Sequence, residues 1–524
     1  MSPLRPIKDT SVFYLLLACL SISGVLLRIY SFHENSRLYG DVNLFALSAR
    51  QLASSGQLTY PMKYDFTPEA SYLSLESPAS QHPPLWPLLG AILARLWGSE
   101  NTFLMLKVLS LCAGFCLWLA FLPKPSNSLS PVTYLPFALI AFSPWLVDFS
   151  TNGSSYILIA FILLLAEKLW GSSFLHRWQI ASLAGSLCAF AILTHYNLIL
   201  LPLSFAIRLL IQENFSLPKK LLNLGFFLTA LILCLSPWFI WNRHTFGQWF
   251  HSPSSYYLLE QLNLASITLD QERVVWKVQS QPLTAILSRY GLLLAKSAWA
   301  GMRQLINIIT PLGFIGLLVA MALHGKKVKE SARTGWLQQG IKILTAPLTL
   351  YLLTILLWAT YKVRFLIPLL PPCYLLIGES IRYGQELAKK RGWLGWLGIS
   401  FLLLWSALPY QQKPLNFYYG TETPTIAQQY DQMKALAIRL AQQPQGVVLG
   451  ISNSLDGGIE TIYWAKQPFV MARGVGGEVW KKLSTDFGVR YVWAECGQTG
   501  ELQTHFPTSE LLLSNGRYCI FSLK

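Results

Sequence analysis

The chain is 524 residues long, 53% hydrophobic and only 13% charged, with 19 Trp, 28 Phe and a formal net charge of +16. A soluble protein carries about 25% charged residues, so this composition excludes an ordinary soluble globule and points to repeated passage through a bilayer. The basic balance alone would suit nucleic acid, but Lys and Arg gather in alternate short loops, so no nucleic-acid partner is expected.

Arg5 and Lys8 precede an apolar run from Val12 to Ile29, which reads as an uncleaved signal-anchor. The tetrapeptide Leu16-Leu17-Ala18-Cys19 approaches a lipoprotein cleavage signal, but Leu17 is poorly suited to it. Eleven spans are predicted, at 11–30, 102–122, 131–148, 153–170, 178–194, 196–211, 221–242, 303–323, 343–360, 364–381 and 393–409. Only T-H-Y-N separates the spans at 178 and 196, so one long broken helix is the alternative there. With the N-terminus inside, the inner loops hold Lys124, then Lys168 and Arg177, then Arg208, Lys219 and Lys220. The clusters H-G-K-K-V-K-E-S-A-R and R-Y-G-Q-E-L-A-K-K-R follow in turn. Every inner loop is basic, which places the first loop, 31–101, and the tail from 410 on the outer face.

The first outer loop has structure of its own. Residues 42–54 read as a helix with Asp41 as its N-cap. A turn-rich stretch, Y-P-M-K-Y-D-F-T-P-E-A, leads to Q-H-P-P-L-W-P-L-L-G-A-I-L-A-R-L-W-G. That piece is too short to span and reads as an interfacial or re-entrant helix. The tail, 410–524, reads as a small α/β domain, with a helix through T-I-A-Q-Q-Y-D-Q-M-K-A-L-A-I-R-L. Its strands lie in G-V-V-L-G-I, Q-P-F-V-M, V-R-Y-V-W-A and R-Y-C-I-F-S-L. Six cysteines lie in or beside apolar runs and act as small hydrophobes. Cys496 and Cys519 fall in the tail and form a candidate disulfide pair if the tail faces an oxidising compartment.

An aspartate just after span one, a helix ending in S-S-G-Q-L and then H-P-P-L-W-P resemble the first outer loop of GT-C glycosyltransferases. The likeness is to the family 39-like group, which includes protein O-mannosyltransferases and the lipid A aminoarabinose transferase. F-S-P-W-L-V-D-F-S-T-N-G, S-P-W-F-I-W-N-R-H-T-F-G and Y-K-V-R-F-L-I-P-L-L-P-P follow in the family's order, so the resemblance covers roughly 10–385. It implies a GT-C helical membrane domain over 1–409, with the active site in loop 31–101 and the extracytoplasmic α/β domain after it. The activity implied is transfer of a sugar from a polyprenyl-phosphate donor to a glycan, lipid or protein acceptor, with inversion, at the outer face of the inner membrane.

The family's loop aspartate falls on Asp41, which would take the proton from the attacking acceptor. A solvated Asp titrates near ~3.9, and partial desolvation would make it a better base. The resemblance assigns Arg364, Arg243, His82 and Lys362 to the donor phosphate, where a guanidinium can hold two oxygens at once. Tyr39, Asp148 and His195 are candidate sugar or acceptor contacts. No cofactor and no metal is expected, since a monophosphate leaving group calls for positioned cations. The chain departs from the group at Val42, where many relatives are acidic, at Leu44, and at S-S-Y near the start of span four.

Each residue has a plainer reading. Asp41 alone suits a helix cap, and Arg364 and Lys362 suit interfacial anchors. Arg243 suits the same role, His82 suits a polar start to the Pro-Pro helix, and Asp148 and His195 suit ordinary loop positions. Asn152-Gly153-Ser154 fits a glycosylation sequon. The rival class is a transporter or flippase, but span interiors almost without charge and unlike halves argue against it. A membrane scaffold with an exported binding tail leaves the long first loop unexplained.

Overall fold

The computed structural model describes residues 10–34, 41–63, 74–79, 82–122, 135–170, 177–211, 216–251, 258–260, 262–270, 273–309, 347–357, 363–375, 377–378, 424–451, 462–472 and 477–523. Tyr39, Lys362 and the expected span 393–409 lie outside them.

Helix α1 (Thr10–Glu34) covers the first expected span. Helix α2 (Asp41–Ser55) starts at Asp41 itself and ends where Gly56 adopts φ 76°, a conformation only glycine takes cheaply. Three two-residue strands follow, β1 (Thr59–Tyr60), β2 (Met62–Lys63) and β3 (Ser77–Pro78), and then helix α3 (Leu85–Trp97) after the Pro-Pro pair. Helix α4 (Thr102–Leu119) enters the apolar series. The expected span 131–148 is broken in two, α5 (Leu135–Phe142) and α6 (Pro144–Phe149). The break follows from Ser143-Pro144: proline cannot donate to the preceding turn, and the Ser143 hydroxyl caps the new helix at Leu146 N–H.

Helix α7 (Tyr156–Trp170) and helix α8 (Arg177–Thr194) come next. His195, extended at φ −160°, separates α8 from a 3₁₀ turn and helix α9 (Leu201–Leu210). Two helices, not one long one, therefore flank T-H-Y-N. Helix α10 (Leu217–Phe246) is followed by a hairpin of β4 (Ala265–Asp270) and β5 (Arg273–Val278) that the sequence pattern did not disclose. Helix α11 (Leu283–Ile309) begins twenty residues before the span expected at 303. Helix α12 (Pro347–Leu357) and a 3₁₀ stretch, Val363–Leu369, stand where spans at 343 and 364 were expected. The tail supplies α13 (Pro424–Ala441), β6 (Val447–Gly450), β7 (Phe469–Met471), α14 (Gly477–Phe487), β8 (Val489–Glu495), α15 (Thr499–His505), β9 (Glu510–Ser514) and β10 (Tyr518–Ser522).

Among the described residues, Ser99–Leu119 and Leu217–Phe246 are long and apolar enough to cross a bilayer, and five shorter apolar helices accompany them. The chain forms two compact units from interleaved segments: 1–36, 107–234 and 293–420 in one, 37–106, 235–292 and 421–524 in the other.

The first unit is a helical core built on Trp118, Phe137, Trp145, Phe149, Tyr156 and Phe205, all buried. Arg28 lies inside the apolar run of α1 yet is buried to 1% exposure. Its guanidinium donates to the carbonyls of Ile140 (3.1 Å) and Ala141 (2.9 Å) at the end of α5 and lies 5.0 Å from the Trp118 ring. The charge is tolerated because it caps carbonyls that a helix end leaves unpaired.

The second unit holds a six-stranded mixed sheet in the order β2-β7-β6-β8-β10-β9. β2, β7, β6 and β8 run parallel, while β10 is antiparallel to both β8 and β9. One edge strand, β2, comes from the first loop, so the sheet of the tail is completed by residues some 400 positions earlier. Its core joins Leu449, Val470, Val492, Leu483 and Phe521, with Leu75 of the first loop packed against it. Cys496 and Cys519 are bonded as a disulfide, which closes the β8–β10 pair.

Candidate active site

Nine consecutive residues, Asp41 to Ala49, are buried, so the start of α2 is enclosed on every side. Asp41 is 9% exposed, and its Oδ1 lies 3.6 Å from His82 Nε2. That separation is an ion-pair distance, longer than a good hydrogen bond. The His82 ring rests against Phe45, one turn along α2, with centroids 4.9 Å apart. Helix periodicity explains the arrangement: Phe45 at i+4 sits on the same face as Asp41 and walls the imidazole in beside the carboxylate. A helix N-terminus is also where a carboxylate is best accommodated.

The resemblance puts His82 with the donor phosphate; the structure sets it beside Asp41. Arg243 ends α10 in the same unit. Its Nη1 donates to the Gly247 carbonyl, its guanidinium lies 6.0 Å from the Trp249 ring, and Gly247 (φ 71°) closes the helix by donating to Arg243 O at 3.0 Å. Arg243 therefore serves as the cap of its own helix.

In the other unit, Arg364 and His195 converge on one side chain, Tyr156. Arg364 Nε–H donates to the Tyr156 oxygen at 3.1 Å, and His195 Nε2 lies 3.2 Å from the same oxygen. His195 Nδ1 accepts the backbone N–H of Asn197 at 3.2 Å. A neutral imidazole accepting at Nδ1 carries its proton on Nε2, so the phenol oxygen receives two N–H donors. Phe365 packs against both rings, 5.9 Å from Tyr156 and 6.0 Å from His195 between centroids. Tyr351 fixes the 3₁₀ stretch by donating to Phe365 O at 3.0 Å.

Asp148 is held nearby in the same unit's sequence. Asn152 Nδ2 donates to Asp148 Oδ2 at 3.4 Å, and Asn152 Oδ1 accepts from Ser154 N–H at 3.0 Å. With Asn152 only 1% exposed, its amide is committed to the fold and is closed to glycan attachment.

The structure thus joins Asp41 with His82, and Arg364 with His195. Tyr156, which makes the second pairing, is not marked as a site residue by the sequence, where S-S-Y stands only as a departure from the family. Its signal was a lone aromatic hydroxyl at the mouth of an apolar run. Among the described residues no three His, Cys, Asp or Glu side chains gather as a metal-binding group.

No protein-family model and no curated protein sequence matches the chain. Solved structures do. The structure of ArnT from Cupriavidus metallidurans bound to undecaprenyl phosphate is similar over 98% of both chains, with TM-score 0.58 and 12% identity. The archaeal oligosaccharyltransferase AglB from Archaeoglobus fulgidus, in complex with an inhibitory peptide and a dolichol-phosphate, is similar over 98% of this chain and 74% of its own, with TM-score 0.50 and 13% identity. The chain has the GT-C fold.

Proposed function

We propose that the protein is an inverting glycosyltransferase of the inner membrane that uses a polyprenyl-phosphate sugar and works at the extracytoplasmic face. The observation that carries this reading is the buried carboxylate of Asp41 at the head of α2, with His82 3.6 Å away. The GT-C fold supports it, since both similar structures hold a polyprenyl-type phosphate lipid.

In the reaction, an acceptor hydroxyl or amine attacks the anomeric carbon while its proton passes to Asp41. The bond from that carbon to the phosphate oxygen breaks, and its electron pair leaves with the lipid phosphate. One displacement inverts the anomeric centre, and no covalent sugar intermediate is needed. Negative charge grows on the departing phosphate, and a positioned guanidinium is the group that stabilises it best. The resemblance assigns that role to Arg364, whose guanidinium Tyr156 orients within its own unit. His82 serves Asp41 by holding its carboxylate in one orientation. A monophosphate leaving group makes a metal less necessary than a diphosphate would.

The acceptor is a glycan, a lipid or a protein. Mass spectrometry of carrier lipids in cells with and without the protein tests the reading. One polyprenyl-phosphate sugar accumulates in its absence if the reading holds. Unchanged carrier lipids and surface glycans contradict it.

A further inference from the structure

We propose that the C-terminal domain sets the position of the helix bearing Asp41, and that Tyr463 is the positioning residue through which it does so. The inference rests on the reading of Asp41 as the base, and it gives the tail a part in the reaction.

Tyr463 is the point where the tail meets both α2 and the segment that joins α3 to α4. Its backbone carbonyl accepts Arg50 Nη1 of α2 at 2.9 Å, and the Arg50 guanidinium stands 4.6 Å from the Tyr463 ring centroid. Its hydroxyl donates to the Glu100 carbonyl at 2.9 Å. The hydroxyl of Thr102, first residue of α4, lies 3.3 Å away and supplies the complementary bond. Tyr463 is 5% exposed, so these bonds form away from bulk water, where a lost partner is costly. Burial lowers the pKa of Arg50 from the usual guanidinium range, with the Tyr463 group acting in the opposite direction.

Arg50 sits nine residues along α2 from Asp41, about 14 Å at the helical rise. A helix transmits a shift at one end to the other, and misplacing a reacting group by ~1 Å can cost about 10²-fold in rate. α2 has a second anchor at its far end, where Arg95 of α3 donates to the carbonyls of Ala53 (3.3 Å) and Leu52 (3.4 Å). Strand β2 adds a third, pairing Met62 with Phe469 and Lys63 with Val470. Of these ties, the Tyr463 junction alone combines a charge–ring contact, a bond to α2 and bonds to the segment that follows α3. It ties the second half of α2 and the segment after α3 to one residue of the tail.

The test uses the full-length protein in proteoliposomes. Arg50→Lys weakens the tie between α2 and Tyr463 directly, and Tyr463→Phe, which removes the hydroxyl bonds to Glu100 and Thr102 and keeps the ring, is the companion should the first variant fold poorly. Four quantities are measured: amide exchange across residues 41–55, melting temperature, affinity for undecaprenyl phosphate, and consumption of lipid-linked sugar. The last is followed by mass spectrometry in membranes from cells lacking the protein. Expected for either variant are faster exchange in α2, by about tenfold, and consumption slowed by about fivefold to twentyfold. Affinity for undecaprenyl phosphate stays within about twofold. Combined with Asp41→Asn, Tyr463→Phe adds no further loss, as expected of residues acting as a unit. Consumption within about twofold of wild type overturns the inference, as does a parallel loss of lipid affinity and melting temperature. If Asp41→Asn alone leaves consumption intact, it is the reading of the base that fails.

Discussion

At Asp41 a helix cap and the proposed base are compatible roles, since a carboxylate that opens a helix is held in one place by that geometry. Local sequence favoured the cap, and the enclosure of residues 41–49 adds what a cap does not need, a position away from water. His82→Ala removes the ring that Phe45 and Asp41 embrace. Sugar transfer should fall by about tenfold or more with little change in undecaprenyl phosphate affinity, measured by initial rate and equilibrium binding. Arg364 belongs to the opposite ledger. Arg364→Ala should weaken undecaprenyl phosphate binding by about tenfold or more, roughly the loss of one charge-assisted contact, and Arg364→Lys should recover only part of it. Tyr156→Phe, which deletes the oxygen shared by Arg364 and His195, should weaken the same binding by a smaller factor. The sequence exposed Asp41, Arg364 and His195 because each stands at the border of an apolar run. It did not expose the pairings, because Tyr156 and Arg364 are 208 positions apart and only folding brings them together.

At the scale of elements, apolar runs and their punctuation were legible. The Pro-Pro start of α3, the Gly56 end of α2 and the break at His195 all stand in the composition of short stretches, whereas α10 runs past the expected 242 to Phe246. Strand β2 was not legible, because two residues carry no period and its partner β7 is distant in the chain. The start of α11 was missed for a related reason: its first turns, L-T-A-I-L-S-R-Y, mix polar and apolar residues and fail a test of hydropathy alone. Close helix packing gives a sharp prediction here. A side chain at Gly185 of α8 would place its Cβ 2.2 Å from the Phe227 carbonyl of α10, and backbone cannot move aside as a flexible side chain can. Gly185→Val should therefore separate these helices and lower the melting temperature by several degrees, as small-residue contacts between apolar helices require. Gly225→Val, on a position that meets nothing within 4 Å, is the control and should leave the melting temperature unchanged.

For the whole molecule, the sequence divides simply into an apolar body and a soluble tail, whereas the folded chain interleaves its segments. The second unit draws on 37–106, 235–292 and 421–524, so the first loop and the tail build one body and share its six-stranded sheet. Charge patterning in successive loops conveys orientation because it sums over many residues. It conveys nothing of this interleaving, which depends on contacts that local composition does not encode. The Cys496–Cys519 bond gives a readout of orientation. In intact cells exposed to a membrane-impermeant maleimide, these two thiols should be labelled only after reduction, and no labelling after reduction would put the tail on the inner side. Removing the bond by Cys519→Ser should cost about 3 kcal/mol in the stability of the tail domain. The most direct test of the central claim is the rate at which purified Asp41→Asn consumes the lipid-linked sugar that accumulates in cells lacking the protein. The account predicts that the variant folds, binds undecaprenyl phosphate as the wild type does, and loses turnover by at least about 10²-fold. Turnover near the wild-type rate would contradict it.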